Sequence, residues 1–519
     1  MSTLKERKEA FVSDLTGGSV FEIYKVTSVT LVSYAYYLAL RDKKVINENS
    51  IFAQIADFYL NWILLLLSVT VYSSNTERLV ISLIPLLFLL FLCNPSSNDE
   101  KTNITRKQKI VKVNLKDLTL KEYLPYKAFI TVYRSQMMVI TCIAILAVDF
   151  KTFPRRFAKV ENWGTSLMDL GVGSFVFSMG LVSCRNILKK NFQNEKTNGI
   201  IKLFQKSIWD TIPVLILGII RLISVKLIGY QEHESEYGTH WNFFFTLGLL
   251  PSFVTLISPL TKIIPKFYLS IIIGLVYELT LINTELLKYI LVAPRVDLIS
   301  SNKEGIFSFI GYLAIFLSGQ SCGHYVLPSI LTLKNFHGKE ITKNDILKTK
   351  NTNSIFTVSP VKGLLISTII YHSLYYVINV CYTYSVSRKL ANFLYILWVC
   401  AYNTTFLLGY LYVSNFFCKD DYKFEYIAGN DDIVSNDHEE IETAIEKIYF
   451  KKTPKSLHSV NANSLLIFLV SNLLTGAVNM TINTLDCNNY YAILILIIYC
   501  STLSVLANFL YKFNIIIKL

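Results

Sequence analysis

The sequence predicts an all-α polytopic integral membrane protein with about thirteen transmembrane helices. Hydrophobic residues make up 52% of the 519-residue chain and charged residues only 17%, and the mean hydropathy is +0.42. Soluble globular proteins average about 25% charged residues. The apolar residues are gathered into runs of about twenty, which is the length that an α-helix needs to cross a bilayer. Because lipid offers the backbone no hydrogen-bonding partners, we expect these runs to be helical.

About thirteen apolar runs are long enough to be counted as spans. They lie near residues 23–40, 51–74, 78–94, 128–148, 164–184, 207–227, 242–259, 267–285, 306–327, 361–381, 391–414, 464–483 and 490–511. An odd number of spans places the two termini on opposite sides of the membrane. We interpret the chain as a single transmembrane domain over residues 1–519, with no separate soluble domain.

Lysine and arginine residues predict the orientation of the chain. The loops on one side of the predicted spans hold about thirty of them and the loops on the other side roughly a dozen, and cytosolic loops are those that carry such an excess. The N-terminus is therefore predicted to be luminal and the C-terminus cytosolic. The net charge of +13 is explained by basic loops that face anionic lipid, so it requires no nucleic acid partner.

One sizeable polar segment interrupts this pattern, at residues 418–463 between spans eleven and twelve. Its acidic run is followed by the basic stretch "KIYFKKTPK". Such a segment is typical of a solvated linker. We therefore predict a flexible cytosolic polar loop that includes one short helix.

The luminal stretch "VDFKTFPRRFAKVENWG", residues 148–164, runs against the charge bias. It places Lys151, Arg155, Arg156 and Lys159 on the predicted luminal side, next to Asp149 at the end of span four. A carboxylate beside hydrocarbon is costly unless it is paired or faces a polar cavity. Arginine offers a planar fork that fits phosphate, so the loop either binds an anionic partner or contacts the phosphates of membrane lipids.

Other ionisable and aromatic residues are predicted near the same side of the membrane. Charged groups within spans indicate a polar site by default. Glu278 in span eight and Glu236 in the adjoining luminal loop are further ionisable residues on this side. Polar residues of span twelve, in "SNLLTGAVNM", either line the site or accompany helix packing through Gly476. The predicted substrate-binding residues are Arg155, Arg156, Trp163, Asp169, Arg221, His240, Trp241 and Glu304.

No metal site is expected. His233 and His240 are seven positions apart with a glycine between them, a spacing that does not fit the usual zinc patterns. The nine cysteines are scattered singly, mostly within apolar runs, and form no C-x-x-C pair. They are interpreted as packing residues, and "GVGS" at 171–174 as a point of close helix packing.

Several stretches together resemble one family. These are "AVDFKTFPRRFAKVENWGTSLMDLGVGSFVFSMG", "YQEHESEYGTHWNFFFTLGLLP", "SVSRKLANFLYILWV" and "SNLLTGAVNM". The chain resembles, over nearly its whole length, the fungal inositol acyltransferases of glycosylphosphatidylinositol (GPI) anchor biosynthesis, whose animal counterpart is called PIG-W. Fungal members usually carry DFP-x-FPRRFAK, whereas Lys151 and Thr152 follow Phe150 here, so a less rigid loop is expected.

The resemblance implies transfer of a fatty acyl group, usually palmitoyl, from acyl-CoA to an inositol hydroxyl of glucosaminyl-phosphatidylinositol in the endoplasmic reticulum membrane. It implies acyl-CoA as co-substrate, no cofactor, membrane lipids as partners, and no protein partner. The motif's aspartate and terminal lysine, proposed as catalytic in the family, fall on Asp149 and Lys159. A partly buried carboxylate can take the hydroxyl proton, and a lysine can stabilise the developing oxyanion. Arg155 and Arg156 would then hold phosphates.

A lipid or solute transporter, or a scramblase, is the alternative function. Many spans and a polar vestibule would suit it equally well. A transporter is expected to show interrupted helices in two related halves, with polar groups near the midplane. The ionisable residues here cluster toward one face, which favours the enzyme.

The predicted orientation can be tested by cysteine labelling. Single cysteines placed in 95–127 or 418–456 should react only from the cytosol, and those in 229–241 only from the lumen. Asn103 lies in the sequon "NIT" but should stay unglycosylated, because glycans are added in the lumen. A glycan on Asn103 would reverse the orientation.

Overall fold

The computed structural model describes residues 4–43, 45, 50–92, 109–115, 117–194, 199–228, 236–330, 335–337, 357–418, 420–427 and 438–517. Ten helices in this part of the chain are long and apolar enough to cross a membrane. They are Ile51–Val69, Ala128–Ala147, Leu167–Phe192, Ile200–Ser224, Lys266–Asn283, Lys303–Val326, Pro360–Cys381, Phe393–Phe417, Ser464–Thr481 and Asn489–Lys512. The protein is an all-α polytopic membrane protein, as the sequence predicted.

The three remaining predicted spans are also helices, at Val20–Asp42, Thr76–Leu92 and Phe243–Leu256. Val20–Asp42 is long enough to cross, but its serine, threonine and tyrosine residues dilute its hydropathy. Thr76–Leu92 reaches the end of a described range after 17 residues. Phe243–Leu256 has only 14 residues. The count of thirteen spans therefore stays a prediction.

The chain forms two compact units. The first consists of Met1–Ser13, Gly18–Ala158 and Phe406–Lys518, and the second is built on Lys159–Thr405 with the short segment Asp14–Gly17. The Phe393–Phe417 helix therefore contributes residues to both.

The described part of the first unit contains both helices and strands. Its helices are Leu4–Val12, Val20–Asp42, Ile51–Val69, Thr76–Leu92, Leu120–Tyr123, Ala128–Ala147, His438–Lys452, Lys455–Ala462, Ser464–Thr481 and Asn489–Lys512, with 3-10 turns at Arg155–Phe157 and Thr484–Asp486 and strands at Lys109–Asn114 and Tyr422–Ile427. The described elements of the second unit are helices and a 3-10 turn. They are the helices Leu167–Phe192, Ile200–Ile228, Phe243–Leu256, Ser258–Ile263, Lys266–Asn283, Leu286–Val292, Leu298–Ser301, Lys303–Val326 and Pro360–Cys381, and a 3-10 turn at Asn335–His337.

Serine residues define where several of these helices begin. A serine before the first helical residue accepts a hydrogen bond from a backbone N–H of the first turn, which would otherwise lack a partner. Such caps are Ser19, Ser50, Ser166 and Ser359. The apolar run thus predicts the helix, and the serine before it fixes the first residue.

Segments predicted on the same side of the membrane contact each other within the first unit. On the predicted luminal side, Arg7 pairs with Asp486 at 2.6 Å. On the predicted cytosolic side, Lys121 pairs with Glu442 at 2.7 Å, and Arg41 donates to the carbonyl of Phe450 at 2.9 Å. This partition is what the predicted alternation of spans requires.

The polar segment 418–463 is more ordered than we expected. Its described part contains the strand Tyr422–Ile427 and the helices His438–Lys452 and Lys455–Ala462. The strand pairs in parallel with Lys109–Asn114, and Lys109 lies opposite Tyr422. The sequence did not predict this strand, because a pairing between segments so far apart in sequence leaves no local pattern.

Two helices of the second unit approach to backbone contact. A Cβ on Gly180 would lie 2.1 Å from the carbonyl oxygen of Phe316, and one on Gly319 would lie 2.1 Å from that of Phe177. Only glycine permits such an approach between Leu167–Phe192 and Lys303–Val326.

The glycines singled out in the sequence differ in their surroundings. A Cβ on Gly173 would lie 2.5 Å from Val399, which confirms "GVGS" as a point of close packing. Among the described residues, a Cβ on Gly476 would meet nothing within 4 Å. The interpretation of Gly476 as a packing glycine was therefore wrong, since sequence alone does not tell which face of a helix has a neighbour.

These packing differences predict different costs for glycine substitution. Gly180→Ala and Gly319→Ala should each destabilise the protein by about 1–3 kcal/mol, because the added methyl group overlaps a backbone carbonyl. Gly476→Ala is the matched control and should leave stability unchanged or slightly higher. Thermal unfolding in detergent measures this. Equal melting temperatures for all three variants would contradict the packing described here.

Candidate active site

Asp149 follows the Ala128–Ala147 helix directly, in the first unit. Its Oδ2 accepts a hydrogen bond of 2.8 Å from the side-chain Nδ2 of Asn479. Within the described part of the chain, that is the one hydrogen bond its carboxylate accepts. Burial raises the pKa of Asp149 above its ordinary value, while Asn479 and the charges of Lys8 and Arg155 act in the opposite direction. A carboxylate in this setting is a stronger base than an exposed one.

Arg155 holds the loop that follows Asp149. Its Nη2 donates to the carbonyls of Val148 at 2.8 Å, Phe150 at 3.2 Å and Phe153 at 2.9 Å, and its Cζ lies 3.9 Å from the centre of the Phe11 ring. Burial lowers the pKa of Arg155 to about 10, so it remains charged at neutral pH. These bonds fix the loop although the usual proline is missing. The phosphate-binding role of Arg155 stays a prediction.

Arg156 lies in an ion pair that the sequence did not predict. Its Nε donates to Glu22 Oε1 at 2.7 Å, and its Nη2 to Ser74 Oγ at 3.2 Å. The side chain is still 33% exposed. A phosphate that binds Arg156 would therefore share it with Glu22.

Lys159 belongs to the second unit and pairs with Glu236. Its Nζ lies 2.8 Å from each carboxylate oxygen of Glu236. Burial alone would raise the pKa of Glu236, but the charges of Lys159 and Arg388 outweigh it and lower that pKa to about 2. Glu236 is thus ionised at any physiological pH. The ammonium group has three N–H donors and gives two to Glu236, so one is available to a substrate.

The loop that carries Lys159 is held against the segment Asp14–Gly17. Gly17, at φ +80°, forms a bridge with Thr165, and its missing Cβ would lie 2.2 Å from the Thr165 carbonyl oxygen. Gly164, at φ +142°, comes equally close to the carbonyl of Thr16. Both positions require glycine, and Gly164 is the residue that ends the stretch 148–164.

Asp169 is a buried structural residue. Its Oδ1 accepts from Arg388 Nε at 2.7 Å, and its Oδ2 accepts from Ser166 Oγ at 2.7 Å and the backbone N–H of Val160 at 3.0 Å. The side chains of the ion pair are only 3% and 1% exposed. Both carboxylate oxygens are occupied, so substrate binding by Asp169 has no support from this geometry.

Arg388 is the residue that the sequence analysis missed. It lies in the quoted stretch "SVSRKLANFLYILWV", in a loop predicted on the same side as Lys159. A buried aspartate requires a cation, and that need is the signal that could have identified Arg388.

The two predicted tryptophans also have structural partners. The Trp163 ring stacks on Tyr384 with centroids 5.3 Å apart. Trp241 Nε1 donates to Thr246 Oγ1 at 2.9 Å, and Arg221 is exposed on its helix. These aromatic rings therefore contribute to packing in the second unit, whatever else they bind.

Several other polar candidates contact backbone groups or ion-pair partners. Its Oδ1 accepts from the backbone N–H groups of His240 at 2.9 Å and Trp241 at 2.8 Å. Glu304 pairs with Arg295 at 2.7 Å. The carboxylate of Glu278 accepts from the backbone N–H of Phe393 at 2.7 Å. Each predicted site carboxylate here satisfies a structural partner.

The structure offers no metal centre in the ranges it describes. No group of three or more histidine, cysteine, aspartate or glutamate residues there is arranged to hold a metal ion. Glu232, His233 and Glu234 lie outside the described residues, as does Asn103.

Comparison with known proteins identifies the family. The GWT1 family model matches residues 4–510. The chain belongs to the GWT1 family. It is 44% identical to GPI-anchored wall transfer protein 1 of Candida albicans and 41% identical to that of Saccharomyces cerevisiae, over the full length of both chains in each case. The Aspergillus fumigatus protein of that name is 42% identical over 98% of each chain.

Membership of the GWT1 family agrees with the resemblance seen in the sequence. The matched region includes Asp149 and Lys159, each of which has a defined environment in its own unit. Asp149 is held by a neutral amide, and Lys159 is held by a carboxylate. These are the two arrangements from which a catalytic role can be argued.

The buried pair predicts a strong effect of removing Arg388. Arg388→Met should destabilise the protein by about 3–5 kcal/mol, because Asp169 would remain buried without its cation. Lys389→Met, at the neighbouring position, is the control and should cost less, since Lys389 donates to the amide of Asn162 at 3.2 Å. Thermal unfolding in detergent compares the two. Equal losses would argue against a dominant role for the Arg388–Asp169 pair.

Proposed function

We propose that this GWT1-family protein transfers a fatty acyl group, usually palmitoyl, from acyl-CoA to an inositol hydroxyl of glucosaminyl-phosphatidylinositol. The reaction is a step of GPI-anchor biosynthesis in the endoplasmic reticulum membrane. The chain is proposed to have its N-terminus in the lumen and its C-terminus in the cytosol. The full-length similarity to relatives named for GPI anchoring supports this. The observation that carries it is the partly buried carboxylate of Asp149, which accepts one amide hydrogen bond and has an oxygen left for a substrate proton.

Asp149 is proposed as the general base. An inositol hydroxyl is a weak nucleophile and attacks a thioester efficiently only when its proton is removed as the new bond forms. Burial raises the pKa of Asp149 and so makes it a better proton acceptor. Direct attack requires no acyl-enzyme intermediate.

Lys159 is proposed to stabilise negative charge on the thioester carbonyl oxygen. Its ion pair with Glu236 fixes the ammonium group and leaves a donor for the oxyanion. A donor that is held before the reaction costs little reorganisation in the transition state.

The proposed reaction balances in bonds and in protons. A carbon–oxygen bond forms between the inositol hydroxyl and the acyl carbon, and the carbon–sulfur bond of acyl-CoA breaks. Asp149 takes the hydroxyl proton and returns a proton to the departing thiolate, so CoA leaves as the thiol. Arg156, which is partly exposed, is the better placed of the two loop arginines for a substrate phosphate.

A covalent product tests the function. Purified protein in detergent, given radiolabelled palmitoyl-CoA and glucosaminyl-phosphatidylinositol, should yield acylated inositol lipid and free CoA. A transporter has no compartments to work between in detergent. Failure of the wild-type protein to form the product would overturn the proposal.

Substitution of the two proposed catalytic residues tests the mechanism. Asp149→Asn should lower the rate about 100-fold to 10,000-fold, and Lys159→Met about 100-fold to 1,000-fold. Because both are proposed to act on one transition state, the double variant should be little worse than the worse single variant.

Controls for these variants are available on the surface. Asp117→Asn and Lys288→Met remove the same charges at exposed positions outside the spans and should retain the wild-type rate. If a folded Asp149→Asn variant kept more than about a tenth of the wild-type rate, Asp149 would not be the base.

A further inference from the structure

We infer that Asn479 is a positioning residue for Asp149 and that Lys8 fixes the orientation of its amide. This rests on the proposed function, in which Asp149 is the base. Asn479 lies near the end of the Ser464–Thr481 helix. Its Nδ2 donates to Asp149 Oδ2 at 2.8 Å, and its Oδ1 accepts from Lys8 Nζ at 3.1 Å.

The chemistry of the three groups allows only one arrangement. An ammonium group can only donate, and an ionised carboxylate can only accept. A side-chain amide does both, so Asn479 can join Lys8 to Asp149 only with its oxygen toward Lys8. The amide nitrogen is thereby directed at the carboxylate, and rotation of the carboxylate about its last bond is restricted.

Asn479 differs in this respect from the other polar residues of its helix. Asn472 Nδ2 donates to the carbonyl of Phe468 at 2.7 Å, and Thr475 Oγ1 donates to that of Ser471 at 2.9 Å. Both bonds stay within the helix. Asn479 alone among these three reaches across to the proposed base.

The N-terminal helix Leu4–Val12 is held in place on both sides of Lys8. Arg7 pairs with Asp486 at 2.6 Å, and the Phe11 ring lies against Arg155. Lys8 is therefore presented by a helix that is anchored twice within the same unit.

A neutral link suits a base better than a direct ion pair. A lysine bonded to Asp149 would hold the proton-accepting oxygen and weaken the base. The amide instead engages Oδ2 and leaves Oδ1 for the hydroxyl. Since misplacement of a reacting group by about 1 Å can cost about 100-fold in rate, a fixed carboxylate raises turnover without binding the substrate.

The experiment uses the full-length protein in detergent. Asn479→Leu keeps the approximate shape and removes the donor, and Asn479→Asp keeps the shape and places a second carboxylate beside Asp149. Lys8→Met removes the charge behind the amide. Asn472→Leu is the matched control on the same helix. For each variant, kcat, KM and the pH dependence of kcat/KM are measured.

Asn479→Leu should lower kcat by about 10-fold to 100-fold with little change in KM. Activity requires ionised Asp149 and is lost as pH falls through its pKa. Removing the amide donor raises that pKa, so the acidic limb of the profile should move to higher pH. Asn479→Asp should move it further, and Lys8→Met less. The charged groups facing Asp149 are Lys8 and Arg155, and Arg155 is unchanged in every variant. Asn472→Leu should match the wild type.

Failure of this inference is distinguishable from failure of the proposed function. If Asp149→Asn is inactive while Asn479→Leu keeps the wild-type kcat and acidic limb, the positioning role alone is overturned. A lower rate with an unmoved acidic limb would show a merely structural residue and would also overturn it. Infrared titration of Asp149, taken as the difference between wild type and Asp149→Asn, reports the contact even without product. Its midpoint should rise in Asn479→Leu, and an unchanged midpoint would contradict the inference.

Discussion

The buried ion pair between Arg388 and Asp169 is the interaction on which the surroundings of Lys159 depend. Asp169 receives Arg388, the Ser166 hydroxyl and the backbone N–H of Val160, which follows Lys159 in the chain. Because an isolated buried charge costs several kcal/mol, neither partner is stable without the other. Arg388 also helps keep Glu236 ionised, and Glu236 holds Lys159. The charges therefore alternate in sign from the buried Asp169–Arg388 pair through Glu236 to Lys159. The Lys159 side chain is still 38% exposed.

Four of the carboxylates considered for the site differ in their partners. Asp169, Glu236 and Glu304 each pair with a cation. Asp149 accepts from a neutral amide. Asp149, the residue proposed to move a proton, thus differs from these three in having a neutral partner. All of them are acidic residues near the ends of spans, so their residue type does not reveal it.

The sequence predicted what depends on local composition. The apolar runs predicted the membrane-spanning helices. Partners distant in the chain were not predicted. Glu236 is 77 positions from Lys159, Arg388 is 219 from Asp169, and Glu22 is 134 from Arg156. The sequence suggested that the loop cations would serve Asp149 or a ligand, whereas Arg156 and Lys159 pair with carboxylates elsewhere in the chain. Gly173 and Gly476 likewise look equivalent until the neighbouring helix is known.

The discontinuity of the first unit has a consequence for biosynthesis. The second unit is formed almost wholly by one continuous stretch of the chain. The first unit is complete only once the residues from Phe406 onward have been made. The ribosome makes Asp149 long before Asn479, which lies 330 positions later. The parallel strands Lys109–Asn114 and Tyr422–Ile427 are separated in the same way. During translation the Asp149 carboxylate therefore lacks its amide partner. The contact with Asn479 forms only after the twelfth predicted span has been inserted.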